Sequence, residues 1–239
     1  MTEVLVLTAH GSADPRSPEV AQALAGRMRR LRPWLEVRVA FVEQSAPNLA
    51  DVLADLAARG DSAVVVPMLL AGAYHARVDI PSMIEASGAA VRQAEVLGED
   101  PALIGLLGQR LTEHGVSQDD PDVGVVVAAV GSSSESANAR TATVASILGA
   151  GTAWAGVETA LATRPSPTVD DAARALRDRG ARRIVVAPWF LAHGRITDRV
   201  AASVDSLGAT MTAPLGSHNL VAAALLDRFD DVRSVHLAA

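Results

Sequence analysis

The chain repeats itself, because a shift of 120 residues aligns much of its first half with its second. Most of the matched positions are glycines, prolines and helix residues that shape a backbone. They pair Gly11-Ser12 with Gly131-Ser132, Pro47 with Pro167, Asp51 with Asp171, Leu56 with Leu176, and Arg59-Gly60 with Arg179-Gly180. Further along, short loop insertions change the shift to 121 for Pro67 and Pro188, and to 118 for Leu97-Gly98 and Leu215-Gly216. This sustained register predicts two copies of one folding unit.

Each copy alternates short apolar runs with amphipathic stretches. In the first copy the apolar runs are residues 4–7, 37–42 and 63–66, and the amphipathic stretches are residues 19–31 and 49–58. Such alternation predicts a parallel sheet covered by helices. Ser17-Pro18-Glu19 is typical of a helix start, and Arg59-Gly60 is typical of a helix end.

The predicted fold is therefore α/β, with two repeated Rossmann-like units that are each a parallel sheet covered by helices. The polar, turn-rich segment at residues 117–122 is the natural joint. This joint predicts an N-terminal unit at residues 1–116 and a C-terminal unit at residues 122–239. Ligands of open α/β sheets bind beyond the carboxyl ends of the strands. We expect the functional residues at that edge, in a cleft between the units.

Composition narrows the choice of ligand. The chain has no Cys, so a metal ion must be held by nitrogen or oxygen atoms of His, Asp or Glu. A formal charge of −6, with one Tyr and three Phe, argues against a nucleic-acid surface. No apolar run has membrane-spanning length, and the N-terminus lacks the features of a signal peptide. We expect a cytoplasmic monomer that acts on small molecules, without nucleic acid or membrane partners.

Three side chains that can bind metal follow three successive strands of the first copy. They are His10, Glu43 and His75, at spacings of 33 and 32 residues. Because the carboxyl ends of parallel strands meet at one edge, the spacing predicts a site with two imidazoles and one carboxylate. Neutral imidazole also accepts protons near neutral pH. The histidines are therefore candidates for metal ligation and for proton transfer, in an order that the sequence leaves open.

The repeat supplies an internal comparison for these three residues. The corresponding positions in the two halves are His10 and Val130, Glu43 and Thr163, and His75 and Ile196. All three ionisable side chains are replaced in the second half, whereas the glycines and prolines that shape the backbone are kept. This pattern indicates that the three residues act as one unit.

These residues carry a family resemblance. The strand leading into His10-Gly11-Ser12, the Glu43 after the second strand, and the segment with Pro67, Gly72, His75 and Asp79-Ile80-Pro81 resemble the sirohydrochlorin chelatases. The resemblance to these class II tetrapyrrole chelatases covers essentially the whole chain, in a two-unit form. It implies chelatase-like units and a lyase that inserts ferrous iron, giving sirohaem, or cobalt for cobalamin, without nucleotide hydrolysis. It also implies that His10 and His75 are essential and that Glu43 helps to hold the metal.

Substrate-binding residues are predicted from their positions and polarity. Sirohydrochlorin carries many carboxylates, so hydrogen-bond donors near the strand ends are candidates for binding it. These donors are Ser12, Ser45, Arg77 and Ser132. The apolar Val130 and Ile196 would instead contact the largely apolar ring. We expect no permanently bound cofactor, because Fe2+ or Co2+ is a substrate.

One other function would use the same residues, and two others require sequence motifs that the chain lacks. A protein that holds a metal or tetrapyrrole without turnover would need the same ligands and stays an alternative. A nucleotide-dependent enzyme is disfavoured, because the chain has no Lys and no G-x-G-x-x-G after its first strand. A serine hydrolase is disfavoured, because residues 131–135 read GSSSE and do not match G-x-S-x-G.

The identity of the metal also stays open. The same His and Glu ligands bind iron, cobalt or nickel. We expect iron, because sirohaem formation is the commoner use that the two-unit resemblance implies, with cobalt as the alternative.

Overall fold

The computed structural model describes residues 4–72 and 74–237, except for the side chains of residues 75 and 235–237. Within these residues the chain forms two four-stranded parallel sheets. The first contains β1 (Val4–Ala9), β2 (Glu36–Phe41), β3 (Ser62–Pro67) and β4 (Ala90–Gln93). The second contains β5 (Val123–Ala129), β6 (Gly156–Leu161), β7 (Arg183–Pro188) and β8 (Thr210–Met211). The strand orders, β2-β1-β3-β4 and β6-β5-β7-β8, are the same arrangement built twice.

Helices cover the sheets, and the central strands β1 and β5 are buried along their whole lengths. The helices are α1 (Arg16–Leu31), α2 (Leu49–Arg59), α3 (Ile80–Ser87), α4 (Pro101–Glu113), α5 (Glu135–Gly149), α6 (Val169–Asp178), α7 (Arg195–Ser206) and α8 (Asn219–Leu237). A π-helical turn, His75–Asp79, directly precedes α3. The predicted α/β fold of two repeated units is confirmed. In the described part of the chain, no helix combines the length and apolarity of a membrane span.

The two predicted helix boundaries have different outcomes. Helix α1 begins at Arg16, ahead of the predicted start at Ser17. The Asp14 carboxylate accepts a hydrogen bond from the Arg16 N–H at 3.0 Å, which satisfies a backbone donor at this end of the helix. Helix α2 ends as predicted, at Arg59, and is capped by Gly60, which adopts the left-handed conformation with φ of 67°.

Corresponding helices build corresponding cores. In the first sheet, Leu53 and Leu56 of α2 are fully buried against a cluster that includes Val6. In the second sheet, Leu176 of α6 takes the equivalent place, in a cluster that includes Val126. Each fully buried leucine side chain contributes about 2 kcal/mol to folding by leaving water. Leu56 and Leu176, which are aligned by the 120-residue shift, therefore also occupy equivalent positions in the two cores.

The repeat is visible in individual backbone hydrogen bonds beyond the strand ends. Four N–H to C=O bonds of the first half recur in the second, with shifts of 120, 120, 121 and 118 between their N–H donors and of 120, 120, 120 and 121 between their carbonyl acceptors. They are Val42 to Ala9 (3.0 Å) and Ala162 to Ala129 (2.8 Å), Glu43 to His10 and Thr163 to Val130 (both 2.9 Å), Met68 to Thr8 and Trp189 to Ala128 (both 2.7 Å), and Leu97 to Leu69 and Leu215 to Phe190 (both 2.9 Å).

The compact units do not coincide with the predicted units at 1–116 and 122–239. One unit comprises Met1–Gly98 with Ser217–Ala239, and the other comprises Glu99–Gly216. Helix α4 follows the first sheet in the chain but packs on α5 and β7 of the second unit, whereas α8 ends the chain and packs on α1 and β3 of the first unit. The terminal helix of each repeat therefore belongs to the other compact unit.

Arginine side chains fix α8 to the first unit. Arg32 forms a two-pronged ion pair with Asp230, in which Nη1 donates to Oδ1 at 2.7 Å. The hydrogen bond to this carboxylate raises the pKa of the Arg32 guanidinium. Arg228 donates from Nε and Nη2 to the carbonyl oxygens of Val96 and Leu97, at 3.1 and 3.0 Å. Helix α8 is thus bound both to α1 and to the segment that leaves β4.

Gly11 allows an unusually close approach of two loops. Its φ is 95°, and a Cβ atom there would lie 1.7 Å from the carbonyl oxygen of Glu43. At the corresponding Gly131, with φ of 86°, the nearest atom to a Cβ would be Cγ of the flexible Arg164 side chain, at 2.9 Å. Only glycine fits at position 11, because the obstacle there is the backbone.

We expect Gly11→Ala to lower the free energy of unfolding by at least about 3 kcal/mol, because the backbone of Glu43 must move to admit the new methyl group. Gly60→Ala is the matched control: its φ is 67°, and nothing lies within 4 Å of the added Cβ. Strain alone should cost that variant about 1 kcal/mol. Urea unfolding measures both losses, and equal losses would contradict the close approach at Gly11.

Candidate functional site

The carboxyl edge of the first sheet carries the predicted site. Strand β1 lies between β2 and β3, and its last residue, Ala9, pairs with Phe41 at the end of β2. The ladder continues past both strands, because the Glu43 N–H donates to the His10 carbonyl oxygen at 2.9 Å. His10 and Glu43 therefore leave neighbouring strands at the same level of the sheet.

The side chains of His10 and Glu43 meet at this edge. His10 Nε2 lies 3.7 Å from Glu43 Oε1, and the two side chains are 34% and 51% exposed. His10 Nδ1 lies 3.2 Å from the Gly11 carbonyl oxygen, which can only accept, so Nδ1 is the donor of this hydrogen bond. In the neutral imidazole with this tautomer, Nε2 is the nitrogen that can ligate a metal ion. A nitrogen lone pair and a carboxylate oxygen thus share one accessible position, which suits a divalent metal ion or the transfer of a proton.

Gln44 is a residue of this site that sequence reasoning missed. Its side-chain Nε2 donates to Glu43 Oε1 at 2.7 Å. Its φ is 58°, and among the described residues it is the only non-glycine residue with a positive φ. A single glutamine next to a glutamate carries no sequence signal for either feature.

Ser12 and Ser45 join the loops that follow β1 and β2. The Ser45 hydroxyl accepts from the Ser12 N–H and donates to the Ser12 carbonyl oxygen, both at 3.0 Å. The Ser12 hydroxyl accepts from the Asp14 N–H, also at 3.0 Å. Both serines were predicted to bind substrate. In the structure their hydroxyl groups hold the protein's own backbone.

The third predicted ligand, His75, is the first residue of the π-helical turn His75–Asp79. Its side chain lies outside the described residues. Among the side chains that the structure does describe, no three His, Asp or Glu residues lie close enough together to hold a metal ion. The described part of the predicted site is therefore the pair of His10 and Glu43.

The segment around His75 presents an accessible surface with apolar members. Tyr74 is 62% exposed and Val78 is 40% exposed. Arg77, predicted to bind substrate, is exposed in the same turn. Gln93 of β4 braces this turn by donating from Nε2 to the Ala76 carbonyl oxygen at 2.8 Å. Sequence reasoning singled out the histidine and the arginine but missed the apolar side chains on either side of them.

The second sheet presents different chemistry at the corresponding edge. Val130 follows β5 and is 41% exposed. The Thr163 hydroxyl donates to the Val130 carbonyl oxygen at 2.8 Å. Ile196, in the first turn of α7, is partly buried against the core cluster that includes Val200. Where the first sheet has ionisable side chains, the second therefore has the exposed apolar Val130, the hydrogen-bonded hydroxyl of Thr163 and the partly buried Ile196.

The loop of Ser132 is held differently from that of Ser12. Asn138 Oδ1 accepts from the Ser132 N–H, and Asn138 Nδ2 donates to the Ser132 carbonyl oxygen, both at 2.8 Å. In the first unit, the corresponding backbone groups bond to Ser45, from the neighbouring loop. In the second unit they bond to α5, the helix that the Ser132 loop itself enters. These backbone groups are therefore bonded to the neighbouring loop in the unit whose loops carry His10 and Glu43.

Comparison with known proteins finds chelatases. The chain is 24% identical over 208 residues to a sirohydrochlorin cobaltochelatase of Priestia megaterium, covering 84% of this chain and 68% of that protein. It is 23% identical over 211 residues to a sirohydrochlorin ferrochelatase of the same organism, covering 86% and 79%. In fold it resembles SirB from Bacillus subtilis with Fe3+, with a TM-score of 0.83, 21% identity, and coverage of 97% of this chain and 95% of that one.

The family comparison covers both halves. The family model described as CbiX matches residues 4–114 and matches again over residues 124–232. The first match contains the whole of the first sheet, and the second contains the second sheet apart from Val123. Because the two matches together cover most of the chain, the chain belongs to the CbiX family.

Proposed function

We propose that this protein inserts a divalent metal ion into sirohydrochlorin at the carboxyl edge of its first sheet. The observation that carries the proposal is the accessible pair of His10 Nε2 and Glu43 Oε1, 3.7 Å apart. Membership of the CbiX family supports it. The names of its relatives, sirohydrochlorin cobaltochelatase and sirohydrochlorin ferrochelatase, give the substrate class.

His10, Glu43 and His75 hold the incoming metal ion in this proposal. An imidazole nitrogen and a carboxylate oxygen suit a divalent ion such as iron or cobalt. The partial exposure of His10 and Glu43 lets a hydrated ion reach them and exchange water for protein ligands. The ion is a substrate that passes to the macrocycle, and we propose that no cofactor stays permanently bound.

Metal insertion also releases protons. Two pyrrolic nitrogens of the free macrocycle each give up a proton as the divalent ion enters, so the charge of the ring stays balanced. We propose that His10 Nε2, in the neutral imidazole, and the Glu43 carboxylate, 3.7 Å from it, accept these protons. As the metal ion leaves these groups for the ring, each becomes free to take a proton.

The macrocycle is bound by charged and apolar groups. Arg77 offers a fixed pair of donors to substrate carboxylates, while Tyr74 and Val78 offer apolar surface beside it. We also propose that Val130 and Ile196 contact the ring and that Ser132 binds a carboxylate of the substrate. Ser12 and Ser45 act through the loop geometry that they maintain. We propose that the protein works as a monomer in the cytoplasm.

His10→Ala and His75→Ala are each expected to abolish multiple turnover, because each change removes a metal ligand. His114→Ala is the matched control. His114 caps α4 in the other compact unit, so its loss should leave the rate within about twofold of the unmodified value.

Absorbance of sirohydrochlorin with ferrous ion, measured anaerobically at substoichiometric protein, tests these variants. Full turnover by either site variant would refute its assignment as a ligand. If each molecule of the unmodified chain metallates only one molecule of sirohydrochlorin, the result would favour a binding protein over an enzyme.

Ferrous iron is the proposed physiological metal, and cobalt is the second candidate. Similarity to the cobaltochelatase of Priestia megaterium supports cobalt, and similarity to the ferrochelatase of that organism supports iron. We expect kcat/KM to be higher with Fe2+ than with Co2+ in anaerobic initial-rate measurements at matched free metal concentrations. The opposite order would assign the protein to cobalt insertion.

Glu43 should act in the chemistry of metal insertion, whereas Val130 should act in substrate binding alone. Glu43→Gln removes the carboxylate charge at nearly constant shape, so kcat should fall at least about tenfold while the Kd of sirohydrochlorin changes little. Val130→Ala removes only apolar contact, so KM for sirohydrochlorin should rise several-fold at nearly unchanged kcat and Co2+ affinity. Steady-state kinetics and Co2+ titrations separate the two patterns. Loss of Co2+ binding in Val130→Ala would contradict the division.

A further inference from the structure

The backbone makes a rare turn at the residue after Glu43. The Ser45 N–H donates to the Glu43 carbonyl oxygen at 2.7 Å, which closes a three-residue turn around Gln44. The φ of 58° at Gln44 places this turn in the strained form with a positive central φ. The same carbonyl oxygen of Glu43 lies against Gly11. The turn therefore directs the Glu43 carbonyl towards the loop that carries His10.

The second unit builds the corresponding loop without this strain. There the Arg164 N–H donates to the Leu161 carbonyl oxygen at 3.2 Å, which closes an ordinary four-residue turn. The flanking scaffold is the same in both units, because Thr163 bonds to Val130 as Glu43 bonds to His10, both at 2.9 Å. The fold itself does not require a left-handed residue at this position. Strained backbone that a scaffold does not require is typical of functional sites.

The Gln44 side chain forms a hydrogen bond with the carboxylate of Glu43, the residue before it. Its amide donates to Glu43 Oε1, the same oxygen that lies 3.7 Å from His10 Nε2. A neutral amide can fix the direction of a carboxylate without adding positive charge, whereas Lys or Arg at this place would repel a metal ion. The hydrogen bond occupies one lone pair and leaves the carboxylate its full negative charge.

We propose that Gln44 is a positioning residue, which acts through Glu43 by holding its carboxylate beside His10 in the direction of the incoming metal ion. This inference rests on the proposed function, because it takes the pair to be a metal site. Gln44 itself need not touch the metal or the tetrapyrrole. Its left-handed backbone and its amide supply the orientation that two half-exposed side chains would otherwise lack.

The test is a double-mutant cycle with Co2+ alone as the probe. Gln44→Gly removes the amide but suits the left-handed backbone, so its Tm should equal or exceed that of the unmodified chain. Its Co2+ affinity, measured by calorimetry, should fall about fivefold, the loss expected for one hydrogen bond. Added to Glu43→Ala, the same change should cause no further loss of affinity, because the carboxylate that it positions is gone.

Three outcomes would overturn the inference. Unchanged Co2+ affinity in Gln44→Gly would show that the amide positions nothing. An equal loss in the two backgrounds would show that Gln44 acts independently of Glu43. A fall in Tm that accompanies the loss of affinity would indicate a structural role.

The measurement also separates this inference from the proposed function. If the cycle gives the expected result but the unmodified chain does not metallate sirohydrochlorin, the proposed function fails and the positioning role stands. If the unmodified chain does not bind Co2+, both fail.

Discussion

The structure of the site depends on one backbone hydrogen bond, from the Glu43 N–H to the His10 carbonyl oxygen. It extends the ladder of β1 and β2 beyond the sheet, where neighbouring strands lie about 4.8 Å apart. At that spacing, side chains that leave two adjacent strands at the same level can reach one another. The close approach also explains Gly11, because any Cβ there would occupy the space of the Glu43 carbonyl. A backbone constraint thus sets which residues can act together.

Much of this arrangement could be predicted from the sequence. The register that aligns Leu56 with Leu176 follows from local patterns of apolar residues, glycine and proline, and it reappears in packing. The neighbourhood of His10 and Glu43 follows from parallel topology. The sequence does not predict which unit α4 and α8 pack in, because an amphipathic pattern gives a helix a buried face without specifying the sheet that buries it. The φ of Gln44 also left no trace in the sequence.

The two copies separate scaffold from chemistry within one chain. Bonds that continue the ladder occur in both copies, as between Thr163 and Val130. The bonds of Ser45 to Ser12 and of Gln44 to Glu43 belong to the copy with the ionisable pair. A duplicated unit can retain its fold while one copy loses its reactive groups, because the two depend on different atoms. The second copy therefore serves as a reference state for the first.

The exchange of α4 and α8 has a consequence for the order in which the molecule folds during synthesis. The second compact unit is continuous in sequence, at Glu99–Gly216, so all of its contacts can form once that stretch has left the ribosome. The first unit must wait, because Arg32 meets Asp230, 198 residues later. Contacts of such long separation slow folding. The unit that carries His10 and Glu43 is thus begun first in synthesis and completed last.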